Sequence, residues 1–146
     1  MFQVSWEKFV KIFVDNEGYK NVLLGLENTA YIALFGFLIG LCIGTVIAVF
    51  KVAGSNNKVA KAISKVGDVY VGFFRGTPIL VQLLLVYYVL FPAMGVTVDK
   101  LIIAIVTFGM NSGAYVAEIM RSGVLSVDSG QYEAGRSLGL SYASTM

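Results

Sequence analysis

The chain has 146 residues, of which 57% are hydrophobic and 14% charged, with a mean hydropathy of +0.76. A soluble domain of this length needs more charge to cover its surface, and helices apolar on every side would aggregate in water. A net charge of +2, no histidine and one cysteine, Cys42, argue against a nucleic-acid binder, a disulfide scaffold, a His/Cys metal centre and an enzyme active site.

From the N-terminus, Phe2, Trp6, Phe9, Val10 and Phe13 fall at helical spacing, with Glu7, Lys8 and Lys11 elsewhere on the wheel. That pattern predicts an interfacial helix within residues 1–19, with Trp6 at headgroup depth. No residue from Ala30 to Val49 is charged, and about twenty such residues cross the hydrocarbon core as a helix. The first span is expected over residues 26–50. It starts too far from the N-terminus and runs too long for a signal peptide, and no small-residue cleavage site follows it. Within it Gly36, Gly40 and Gly44 recur every fourth residue and clear one face for another helix.

The second apolar run, 69–91, is interrupted by Arg75, Gly76, Thr77 and Pro78. Read as one helix, it puts Arg75, Pro78 and Gln82 on a shared face. There proline disturbs the preceding turn and polar groups meet a solute. Arg75, near the start of the run, equally suits a snorkelling anchor. The third run, 101–120, carries Thr107, Asn111, Tyr115 and Glu118 on one face, with Gly109, Gly113 and Ala114 leaving room nearby. A hydroxyl, an amide, a phenol and a carboxylate inside a membrane helix are costly unless they face protein or water. The stripe therefore reads as a solute route, or as helix-to-helix hydrogen bonding with Glu118 emerging at the surface beside Arg121.

Lysine placement orients the spans. Lys51, Lys58, Lys61 and Lys65 crowd the 51–68 loop against Asp68, Arg121 and Arg136 follow the third span, and the 92–100 loop has only Lys100. The positive-inside rule puts the 51–68 loop and the C-terminal segment in the cytoplasm, and the N-terminus and the 92–100 loop outside. Lys8, Lys11 and Lys20, on the outer side, run against this assignment. The hydrophilic segment 126–142 holds Asp128 three residues before Gln131, a capping start for a short helix. Its small residues, Ala134, Gly135 and Gly139, give that helix a low-relief surface suited to a partner's cleft, while the residues alone equally fit an ordinary cytoplasmic loop.

This segment resembles the EAA loop of ABC importer permeases, whose pattern is EAAxxxG: Glu133, Ala134 and Gly139 match, and Gly135 replaces the second alanine. The stretch FFRGTPILVQLLLVYY, 73–88, is similar to a second conserved stretch of the polar amino-acid permeases in that class, and NSGAYVAEIMRSG, 111–123, to a third. The three occur in the family's order, and the resemblance takes in nearly all of the chain from about Gly25 onward.

The resemblance implies an all-α integral membrane fold: a partial type I permease bundle of three transmembrane helices with a cytoplasmic coupling helix. It implies a subunit of a bacterial inner-membrane importer that moves a polar amino acid delivered by an extracytoplasmic solute-binding protein. The subunit would pair with a second permease subunit in the bilayer. Cytoplasmic ATPase subunits would dock on Glu133, Ala134, Gly135 and Gly139. Gln82, Thr107, Asn111, Tyr115, Glu118 and Arg75 become the expected solute contacts. The chain has no GxxxxGK[ST] loop and no Gly-Lys dipeptide, so ATP hydrolysis is assigned to another chain and this one is not read as an enzyme. Family members continue past the EAA helix into two further spans, which makes this chain an expected N-terminal portion. Two other readings fit the residues: a piece of an ion-coupled secondary transporter using Glu118 or Arg75, and a membrane adaptor built on the glycine stripe.

Overall fold

A computed structural model describes residues 6–52 and 58–145, apart from the side chains of residues 7, 58–60 and 143. Phe2, part of the expected interfacial pattern, lies outside the described residues. Helix α1, Trp6–Val10, continues as a π-helical turn, Lys11–Asp15. The rings of Trp6, Phe9 and Phe13 stack along one side at 5.5 and 5.3 Å. The chain then turns a corner on Glu17, whose φ of 54° is left-handed. Gly18 sits so close beneath the turn that a Cβ there would stand 2.5 Å from the Ile12 carbonyl oxygen.

Helix α2, Gly18–Val52, is 35 residues long and starts well before the expected boundary. Its polar first turns keep their backbone hydrogen bonds, so the edge of an apolar run marks where a helix enters lipid, not where it ends. Helix α3, Lys58–Gly76, and helix α4, Ile79–Ala93, are bent 103° relative to one another at a break of two residues. This corrects the reading of 69–91 as one helix and of 51–68 as loop. Arg75 ends α3 while Gln82 belongs to α4, so the two do not share a helix face. Pro78 supplies the reason: it has no N–H to give the Phe74 carbonyl, its ring disfavours helical backbone at Thr77, and its own backbone is extended (ψ 134°) where α4 starts. A π-helical turn, Val86–Leu90, widens α4 just ahead of Pro92, where the ring would otherwise press on the carbonyl four residues back.

Helix α5, Lys100–Leu125, is capped by Asp99, whose side chain accepts from the Leu101 N–H at 2.7 Å. It runs parallel to α2, as the close approaches show. A Cβ on Gly36 would meet Phe108 at 3.5 Å, one on Gly40 Ser112 at 2.7 Å, and one on Gly44 Val116 at 2.6 Å. Gly109 and Gly113 answer from α5, pressed against Ile39 and Ile43. The glycine stripe is thus a helix-packing seam, and Gly109 and Gly113 are filled by that seam instead of leaving space beside the polar stripe. Parallel α2 and α5 require the bent pair α3–α4 to return the chain across the bundle. The end of α2 and the C-terminal segment therefore share one end, and the turn before Lys100 lies at the other.

After α5 comes α6, Ser129–Ser137, capped by Asp128, which accepts from the Gly130 N–H at 2.6 Å. Gly139 (φ 81°) closes it: its N–H donates to the Arg136 carbonyl at 3.0 Å, and that of Leu140 to Gly135 at 3.2 Å. This is the left-handed helix stop that favours glycine. A short α7, Tyr142–Thr145, folds back on α6. The described residues hold helices and no strand.

Candidate functional site

The corner between α3 and α4 gathers most of the expected site. A broken helix leaves carbonyls without donors, and in lipid each must find a protein partner. Gln82, 5% exposed, supplies them: its Nε2 donates to the carbonyls of Phe74 and Thr77, both at 3.0 Å, and lies 2.7 Å from the Thr77 hydroxyl. Asn111 of α5 adds a second amide, its Nδ2 donating to the Phe74 carbonyl at 3.2 Å and to Gln82 Oε1 at 3.1 Å. The Phe74 carbonyl orphaned by Pro78 is therefore served from two helices. The Tyr70 hydroxyl donates to the Met110 carbonyl and ties α3 to α5 one turn away.

Arg75 stands beside this corner with its guanidinium 5.5 Å from the centre of the Tyr115 ring. Both side chains are exposed, and Arg75 has no carboxylate partner among the described residues. Arg75 lies in the last turn of α3, at the break and far along the helix from Lys58. Thr107 is 2% exposed, and its hydroxyl donates into its own helix, to Ile103, at 2.8 Å.

Glu118 lies on the same stripe but at the other end of the network. Its carboxylate accepts from Arg121 at 2.9 Å and meets the Lys51 ammonium at 3.4 Å, and Lys51 also reaches Asp68 at 2.8 Å. Sequence reasoning did not assemble this cluster. Its one local signal is the Glu118–Arg121 spacing, because Lys51 and Asp68 join it only through packing.

The six expected contacts thus fall into an amide-closed corner (Gln82, Asn111), an exposed Arg75–Tyr115 pair, a self-satisfied Thr107, and Glu118 in an ion cluster. A separate open groove of about 290 Å³ lies between α4 and α5, walled mainly by Leu83, Leu84 and Ile103, with Lys100 at 6.0 Å from the Tyr87 ring. None of the expected residues lines it. On α6, Glu133 and Ala134 are exposed, Gly135 packs against Thr145, and Gly139 holds the helix stop.

Residues 40–146 match the family described as binding-protein-dependent transport system inner membrane component. The chain belongs to that family. It is 38% identical over 122 residues to the L-cystine transport system permease protein TcyB of Bacillus subtilis (strain 168), covering 84% of this chain and 50% of that protein. It is 36% identical over 125 residues to the arginine transport system permease protein ArtQ of the same organism, covering 86% of this chain and 55% of that one. A crystal structure of an amino acid ABC transporter with histidines superposes with a TM-score of 0.75 at 34% identity, over 92% of this chain and 60% of its own. This inner-membrane component spans about half the length of the curated relatives it matches. It is a multi-pass all-helical membrane protein.

Proposed function

We propose that the chain is a permease subunit of an ATP-driven importer. It passes a polar amino acid, handed over by a solute-binding protein on the outer side, through a pathway shared with a second permease subunit. ATP hydrolysis is the work of separate cytoplasmic ATPase subunits. Family membership supports the class, and the transport systems named for TcyB and ArtQ support a polar amino acid as solute. The observation that carries the reading is α6. It is a helix stopped at both ends, three residues beyond α5, with Glu133 and Ala134 exposed on it.

In this reading Arg75 and Tyr115 face the solute. A zwitterion trades water for a cation, a phenol and backbone groups as it passes the corner, and Gln82 and Asn111 hold that corner in shape. Thr107 and Glu118 act through packing and ion pairing.

The docking surface is tested by separating contact from helix shape. Ala134→Trp adds bulk on an exposed face and leaves the helix stop intact. It is expected to abolish co-purification of the ATPase with the full-length subunit while the subunit stays folded. Gly139→Ala instead strains a φ of 81°, costing about 1–2 kcal/mol locally, and lowers thermal stability. Wild-type recovery of the ATPase with Ala134→Trp removes the assignment.

The orientation, cytoplasmic for the end that carries α6, rests on the lysine count. In a Cys42→Ala background, Ser129→Cys is expected to stay unlabelled by an impermeant maleimide in intact cells, and Val96→Cys to be labelled. The reverse pattern inverts the topology.

A further inference from the structure

On the α6 side of the molecule, the end of α2 meets the middle of α3 and the C-terminal third of α5 in a charge cluster with Lys51 as its hub. The Lys51 side chain is 8% exposed. Its stem crosses α3 at Gly67, where a Cβ would stand 3.9 Å from Lys51 Cγ and Cδ. Its ammonium meets Asp68 of α3 at 2.8 Å and Glu118 of α5 at 3.4 Å. Arg121, 2.9 Å from the other Glu118 oxygen, completes the carboxylate's shell. One cation thus adds an ionic link among three helices that also pack here through Ile47 on Gly67 and Gly44 on Val116.

Two routes connect this hub to α6. The first is covalent: only residues 126–128 separate the end of α5 from the start of α6. The second is a contact. Tyr132 of α6 packs edge to face on Tyr142 at 6.0 Å, and the Tyr142 hydroxyl reaches the Val52 carbonyl, one residue beyond Lys51, at 3.5 Å. A displacement of α6 is therefore felt at the end of α5 and at the end of α2. Lys51 bridges those two helices and adds α3, whose far end carries the Arg75 corner.

We propose that Lys51 is a positioning residue for energy coupling, making α2, α3 and α5 move as one body when α6 is displaced. The inference rests on the reading of α6 as the ATPase contact, and it assigns Glu118 to coupling in place of solute recognition. Lys51→Met tests it cleanly. The methionine keeps most of the stem over Gly67, Glu118 retains Arg121, and Asp68 is exposed, so no buried charge is left alone.

The complete importer, reconstituted in vesicles with its ATPase and binding protein, is assayed for amino-acid uptake and ATP hydrolysis together. Lys51→Met is expected to assemble, to hydrolyse ATP near the parent's rate and to keep its solute affinity, while uptake per ATP falls about fivefold or more. Because the two residues form one link, adding Glu118→Gln lowers the ratio no further. An unchanged ratio in Lys51→Met, or losses that multiply in the double variant, overturns the proposal. Failure of the wild type to take up solute with ATP overturns the importer reading and this inference with it.

Discussion

Replacing Gly44 with leucine is expected to abolish the folded α2–α5 pair. The Cβ alone would stand 2.6 Å from Val116 Cβ and 2.8 Å from the Gly113 carbonyl oxygen. The second of these is backbone inside a helix and has no rotamer to adopt. Overpacking a well-fitted interior costs about 1–3 kcal/mol, and here the full leucine must also be accommodated where two helices already touch. The expected loss is on the order of 3 kcal/mol or more, read as a lower unfolding midpoint in an SDS titration of the purified protein. Gly25 lies on the same helix with nothing within 4 Å of its Cβ position, and Gly25→Leu is expected to leave the midpoint alone. Equal midpoints for the two variants would show that the seam does not hold the bundle.

The second large effect is at Gln82. Gln82→Leu removes the donor that serves Thr77, its share of the Phe74 carbonyl, and the acceptor for Asn111. An unsatisfied buried polar group costs about 1–3 kcal/mol, so the variant is expected to lose on the order of 3 kcal/mol in the same titration and to abolish uptake. Asn111→Ala is milder, about 1 kcal/mol, because Gln82 still serves the Phe74 carbonyl. The cause is checked by restoring the missing donor. Pro78→Ala returns an N–H that α3 can use to continue past its break, and it is expected to recover stability in the Gln82→Leu background without recovering uptake. If Pro78→Ala leaves the Gln82→Leu loss in place, the amides are not there to close the proline break.

Each of these effects starts from a residue visible in the sequence, but the residues differ in how far sequence reasoning carries. The Gly36–Gly40–Gly44 stripe is readable as a packing face from its period alone, because small residues on one helical face have few other uses in lipid. Its partner is not readable, since Ser112, Gly113 and Val116 come from a helix some seventy residues away. The stop of α6 at Gly139 is local, and so is its Asp128 cap. At the α3–α4 corner the sequence shows a proline among polar residues, which indicates a disturbance. It does not show whether the helix kinks slightly or breaks to 103°.

Membrane class, helical spans, the small-residue seam and the capped helix after the third span all follow from composition, period and local backbone chemistry. These properties depend on residues within a turn or two of one another, or on the solvent that the whole chain selects. The roles within the polar stripe follow from neither. Thr107, Asn111, Tyr115 and Glu118 share one face of α5, yet one donates to its own helix, one closes a break in another, one stacks against an arginine and one joins a three-helix ion cluster. A helical face sets the direction in which a side chain points. What waits there depends on where α2, α3 and α4 have packed, and that packing brings together Lys51, Asp68 and Glu118, residues far apart in the chain.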